Sequence, residues 1–151
     1  MTTTTPTPRA QALLELWQSK RRDGLLPARR DFAFEDFRPW LGWITLLEVR
    51  DGGEDFFFTL HGTAAVDRYR LDMTGKLATE LPRNWSKTIV AGYRDVVRIR
   101  QPALSRHRLK DSHFEYSWLR LLLPCADDGR NVDRLIALIE DIEYVTKSPA
   151  L

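Results

Sequence analysis

The stretch from Asp55 to Pro82, DFFFTLHGTAAVDRYRLDMTGKLATELP, constrains the fold more than any other part of the chain. An aromatic strand runs into a Gly-Thr break at Gly62 and Thr63, a short helical piece follows, and a Thr-Gly turn at Thr74 and Gly75 leads to a second short helix. Most strands either turn back as hairpins or feed one full helix. A strand that feeds several one-turn helices can instead form one wall of a small cup closed by a sheet, an architecture suited to sensing or interaction.

The chain is long enough for one domain with a real core: 151 residues, with 43% hydrophobic and 29% charged side chains as in an ordinary soluble protein. No run approaches the roughly 20 apolar residues needed to cross a bilayer. MTTTTPTP lacks a basic segment followed by an apolar one, so residues 1–8 read as a disordered Thr/Pro leader and not a secretory signal. One cysteine, Cys125, rules out an internal disulfide and a thiolate metal cluster. These features lead us to expect a cytoplasmic protein.

Net charge is +2, unevenly spread. Between Arg83 and Lys110 the bases Arg83, Lys87, Arg94, Arg98, Arg100, Arg106, Arg108 and Lys110 face only Asp95, while Asp127 to Glu143 is mostly acidic. A solvated helix face with charge-protected strand edges explains this more simply than an anionic partner or a head-to-tail contact between copies.

Residues 9–42 hold a helix and a connector. From Arg9 to Arg22, Ala10, Leu13, Leu14 and Trp17 follow the i, i+3, i+4, i+7 spacing of one helical face, with Lys20, Arg21 and Arg22 in the last turn and Gly24 as the stop. Being amphipathic, the helix must cover its own sheet or meet the same helix of a second copy, which makes Leu13, Leu14 and Trp17 candidate dimer-interface residues. The connector, with Pro27 and Pro39, is expected to be irregular but packed down through Phe32, Phe34, Phe37 and Trp40.

Residues 43–146 form the domain proper, and 147–151 a tail. Strand candidates at 43–50 and 55–62 flank an Asp-Gly-Gly turn, so they form a hairpin. After the short helices, one long helix from about Asn84 to Arg100 buries Ile89, Tyr93, Val96 and Val97 and ends before Pro102. Three strands follow at 103–111, 115–125 and 132–145, separated by turn signals at Asp111–Ser112 and Asp127–Asp128–Gly129. In the middle one Tyr116, Trp118, Arg120 and Leu122 share a face, and Ser117, Leu119, Leu121 and Leu123 share the other. Apolar residues on both faces require cover on both sides. The expected fold is α+β: a five-stranded antiparallel sheet with short helices and one long helix on one face, plus an N-terminal amphipathic helix.

This order resembles the PAS fold. FTLHGT (Phe58 to Thr63), DMTGK (Asp72 to Lys76) and LRLLLPCADDGRNVDRL (Leu119 to Leu135) are similar to one bacterial subfamily, the PAS_5 group, formerly a domain of unknown function. The connector with Pro27, Arg30 and Pro39 is similar too, and the resemblance spans roughly Leu13 to Tyr144. These motifs fix turns and strands and define no chemistry. The resemblance implies a stand-alone module that binds a small molecule in the cup or mediates dimerisation, and that signals through association with another protein.

The resemblance also implies tests for cofactors. Haem-binding PAS domains take a histidine ligand, commonly from the long helix, and His61, His107 and His113 all lie outside it. Light-sensing flavin domains use a cysteine in an Asn-Cys-Arg motif, which is absent; Cys125 ends a strand beside Pro124 and reads as a small buried hydrophobe. Haem and flavin are therefore disfavoured and the cofactor is unknown. No phosphate-binding glycine loop or metal-ligand spacing stands out. His107, Asp111 and His113 are close in sequence but read better as a polar edge strand than as a catalytic cluster, and Asp127–Asp128 as turn chemistry.

The candidate pocket lining is Phe56, Phe58, Tyr93 and Trp118, each of which could equally be plain core. Two functional classes stand: a non-enzymatic sensory or regulatory module, expected to be a homodimer with a signalling protein as partner, and a small cone-shaped pocket enzyme or binding protein. The second needs a convergent acid–base pair that the sequence does not offer. Nucleic acid binding through the basic segment is disfavoured by the near-neutral charge.

Overall fold

The computed structural model describes residues 4–147. Residues 1–3 of the expected leader, and the expected tail beyond Lys147, lie outside the described residues. Helix α1 (Pro8–Ser19) is followed by two 3-10 segments (Arg29–Asp31 and Phe34–Trp40) and strand β1 (Ile44–Arg50). Then come β2 (Asp55–Leu60), α2 (Thr63–Tyr69), a 3-10 turn at Ala78–Glu80, α3 (Arg83–Ile99), β3 (Ala103–Lys110), β4 (Phe114–Cys125) and β5 (Arg134–Thr146). The five strands make one antiparallel sheet in the order β2-β1-β5-β4-β3.

Register assigns every strand residue to a face. Arg120 lies opposite Ile139 on β5 and Ser105 on β3, and Arg120 Nη1 donates to the Ile89 carbonyl of α3 at 2.9 Å. The Tyr116–Trp118–Arg120–Leu122 face therefore looks at α3 and the short helices, and all four residues are buried. The opposite face carries Leu119, Leu121 and Leu123 against Glu140, Leu138 and Ile136. Helix α1 covers that outer face. Thr7 Oγ1 accepts from the Ala10 N–H as the N-cap and also donates to Glu140 Oε1, so one hydroxyl starts the helix and ties it to β5. Pro8 occupies the first turn, where its missing N–H costs nothing.

Cover on both sides explains why β4 and β5 are apolar on both faces. Leu13 and Trp17 are fully buried against the chain's own sheet, and the Trp17 indole N–H donates to the Pro124 carbonyl at 2.8 Å. Only Leu14 of the three expected interface residues is not buried.

Two local expectations need correction. Helix α1 stops at Ser19, so Lys20, Arg21 and Arg22 follow the helix and do not form its last turn. Arg21 instead folds back over the Trp17 ring and donates to the Gly24 and Leu25 carbonyls, while Asp23 and Gly24 take positive φ. In the connector, Phe32, Phe37 and Trp40 are buried but Phe34 is 53% exposed. Phe32 stacks on Phe37 at 5.7 Å, while Phe34, two residues on, points to solvent.

Candidate functional site

The wall between β2 and α3 is stitched by backbone and short polar side chains. The Phe58 N–H donates to the Lys76 carbonyl and the Gly75 N–H to the Phe58 carbonyl. Asp55, 7% exposed, accepts from the N–H groups of Phe56 and Thr79 and from the Thr79 hydroxyl. His61 Nδ1 accepts the Met73 N–H at 3.0 Å. Where β1 passes this wall, Gly62 is obligatory: a Cβ there would meet the carbonyls of Ile44 and Gly42 at 2.6 and 2.7 Å. The FTLHGT and DMTGK stretches thus build one device, a strand latched to a tight turn.

Between this wall, α3 and the sheet remains a small cavity of about 10 Å³, bordered among others by Thr45, Phe58, His61, Tyr69, Tyr93 and Arg120. That is room for about one water molecule. Phe58 and Tyr93 thus line the cavity. Phe56 sits behind it, edge-on to Tyr93 at 5.2 Å, and Trp118 sits beside it, stacked on Tyr116 at 4.8 Å and on His107 at 5.4 Å. All four are core residues as well.

Of the polar members, sequence reasoning found Tyr93 and missed Thr45, His61, Tyr69 and Arg120. Arg120 is 2% exposed; its Nη1 donates to the Ile89 carbonyl, and its guanidinium lies 4.9 Å above the Tyr93 ring. Its Nε and Nη2 are buried without a partner. The signal was available: Arg120 is the one charged residue in the stripe Tyr116, Trp118, Arg120, Leu122. Burial lowers its pKa from the ordinary value, with Tyr93 and Tyr69 opposing. The same desolvation pushes His61 down to about 4, against a weak pull from Asp72, so its ring is neutral at pH 7.

His107, Asp111 and His113 make separate contacts in the structure. Asp111 accepts the His113 N–H within the β3–β4 turn. His107 Nε2 lies 2.6 Å from Ser105 Oγ, a nucleophile–base spacing. Burial and the Arg120 charge hold that imidazole at about 4, which leaves it a weak base at neutral pH, and its ring is stacked on Trp118. Asp128 accepts the N–H groups of Arg130 and Asn131 and is held at about 2 by them, as turn chemistry requires.

Cys125 is fully buried, its thiol pushed up to about 12 by burial. Among the described residues no group of His, Cys, Asp and Glu could hold a metal ion, and no helix is long and apolar enough to cross a membrane.

No protein-family model matches the chain, and no curated protein matches it either. Solved structures do. A sensory box sensor histidine kinase from Vibrio cholerae superposes with a TM-score of 0.51 at 16% identity, over 89% of this chain and 97% of that one. A fungal LOV domain photoreceptor gives 0.49 at 12% identity, over 87% and 91%. Likeness at such identity is likeness of fold. The strand order, the helices on the cup face and the likeness to the Vibrio cholerae structure make this an α+β domain with a PAS-like fold.

Proposed function

We propose that the chain is a non-enzymatic sensory module whose cup takes a small ligand and whose state is read by a protein partner, a second copy included. The observation that carries this reading is the group of buried polar side chains, Thr45, His61, Tyr69, Tyr93 and Arg120, gathered around one cavity inside a mostly apolar core. Buried polar groups are costly unless satisfied, so a core that served only packing would have little use for them. Membership of the PAS_5 group belongs to the same reading and is supported by the three motif stretches. The sensory character of the structural neighbour from Vibrio cholerae agrees with it.

Native mass spectrometry of freshly purified protein, set against the denatured mass, tests the reading. A non-covalent excess that disappears on denaturation supports it. A clean apo mass, together with no thermal stabilisation by any member of a metabolite panel, would sink it.

A further inference from the structure

The unpartnered edge of Arg120 says more about the ligand than the shape of the cup does. Arginine stays protonated, so the core carries a positive charge. What offsets it is neutral: the Ile89 carbonyl, the Tyr93 ring and the pull of the Tyr93 and Tyr69 hydroxyls. A lone buried charge without a counter-charge is among the most expensive features a core can hold. The two nitrogens left open, Nε and Nη2, lie on one side of the guanidinium and form the fork that meets both oxygens of a carboxylate.

The surroundings point the same way. Tyr69 touches Trp85 and Trp118 at ring distances of 5.9 and 5.8 Å, and both indole N–H groups are also buried without partners. The unsatisfied groups next to the cup are therefore donors, and what is missing is an acceptor. The fold also makes space for the arginine, because a Cβ on Gly92 of α3 would collide with Nη2.

We propose that Arg120 is the anchor of the cup, its Nε/Nη2 edge pairing with the carboxylate of a small organic monoanion. This rests on the cup being a ligand site and names the ligand's class. The present cavity has room for about one water, so binding widens it. The yielding wall is the one made by Tyr69 and Leu81, at the ends of one- and two-turn elements, since the opposite wall is the continuous sheet.

The test is thermal unfolding of the full chain with sodium formate, acetate, propionate and benzoate. Acetamide, propionamide and sodium chloride at matched ionic strength serve as controls, and the native mass is recorded in parallel. Expected is a rise in Tm of roughly 3 °C or more for each tenfold increase in carboxylate above Kd, for carboxylates only. Arg120→Leu should abolish the rise. It should also melt above the wild type without ligand, because it removes an unpaired buried charge.

Arg120→Lys, which keeps charge but loses the fork, should weaken the carboxylate response at least tenfold. Should neither variant fold, the acid-against-amide comparison on the wild type still decides. Equal stabilisation by amides, full reproduction of the effect by chloride, no response to any carboxylate, or a carboxylate response that survives in Arg120→Leu would each overturn the proposal. A neutral molecule found in the native mass would overturn it while leaving the cup as a ligand site; an apo mass with no response to any compound would remove both.

Discussion

Arg120 and His61 meet the cost of burial in opposite ways. The guanidinium cannot release its proton, so it stays charged and depends on partners. The imidazole can, and does: its Nδ1 accepts the Met73 N–H, which requires the unprotonated form, and burial holds its pKa at about 4. Because the folded pKa lies below the ordinary 6.5, the unfolded chain binds the extra proton first as pH falls. The stabilisation is complete above pH 6.5, declines through the window from 6.5 to about 4, and is gone below it. Within that window His61 alone should lower the unfolding free energy by about 1.4 kcal/mol per pH unit. His61→Asn places an amide oxygen where Nδ1 accepts, yet does not titrate. Urea midpoints at pH 7 and pH 5 should therefore fall less in His61→Asn than in the wild type; an equal fall would show that His61 does not supply the pH dependence. His107, shifted the same way, accounts for part of what remains.

At the scale of elements, what was legible in the sequence is what local chemistry dictates. The hairpin around Asp51–Gly53, the long helix and the three closing strands follow from turn residues and periodicity, and they stand within a residue or two of where those signals put them. The end of α1 was not legible. Three cations after Trp17 look like a dipole-matched last turn, but the arginine at position 21 gains more by stacking on Trp17 and bonding two carbonyls of the next turn. The exposure of Phe34 was hidden for a similar reason: which aromatics of an irregular connector are buried is decided by tertiary packing. The site was legible only by face, since period-two alternation put Arg120 on the stripe with Trp118 without showing that its partners would be missing.

Both α2 and α3 also end on an arginine in the left-handed region, Arg70 at φ 58 and Arg100 at φ 62, where glycine is the unstrained residue. Among the described residues, the hydrogen bond of the Arg100 side chain is a long 3.5 Å one to the Arg130 carbonyl, so little is lost by removing it. Arg100→Gly should stabilise the domain by roughly 1 kcal/mol, read as a higher urea midpoint with unchanged m-value. A lower midpoint would mean that the Arg100 side chain holds α3 in a way its contacts do not explain.

For the whole molecule, the decisive relation is between α1 and the sheet. An amphipathic helix ahead of a sheet with two apolar faces admits two assemblies, cover in cis or exchange between copies, and both satisfy the same hydrophobic pattern. Here the cis arrangement has specific polar terms: the Thr7 link to Glu140, the Trp17 indole on the Pro124 carbonyl, and the Trp40 indole on the Arg9 carbonyl. If the helix serves its own chain, Trp17→Ala removes a buried ring and strands a carbonyl within one molecule, at a cost of about 3–5 kcal/mol. That loss should be the same at any protein concentration. If Trp17 instead worked between copies, the deficit would shrink as the concentration rises, because mass action restores an interface. Melting wild type and Trp17→Ala across a hundredfold range of concentration separates the two. We expect parallel curves and a constant gap in Tm, and equilibrium sedimentation that Trp17→Ala leaves unchanged while it lowers stability. A gap that closes with concentration would return Leu13, Leu14 and Trp17 to the surface between protomers. Removal of residues 1–24 should accordingly uncover Leu121 and Leu123 and destabilise the domain itself, whatever it does to association.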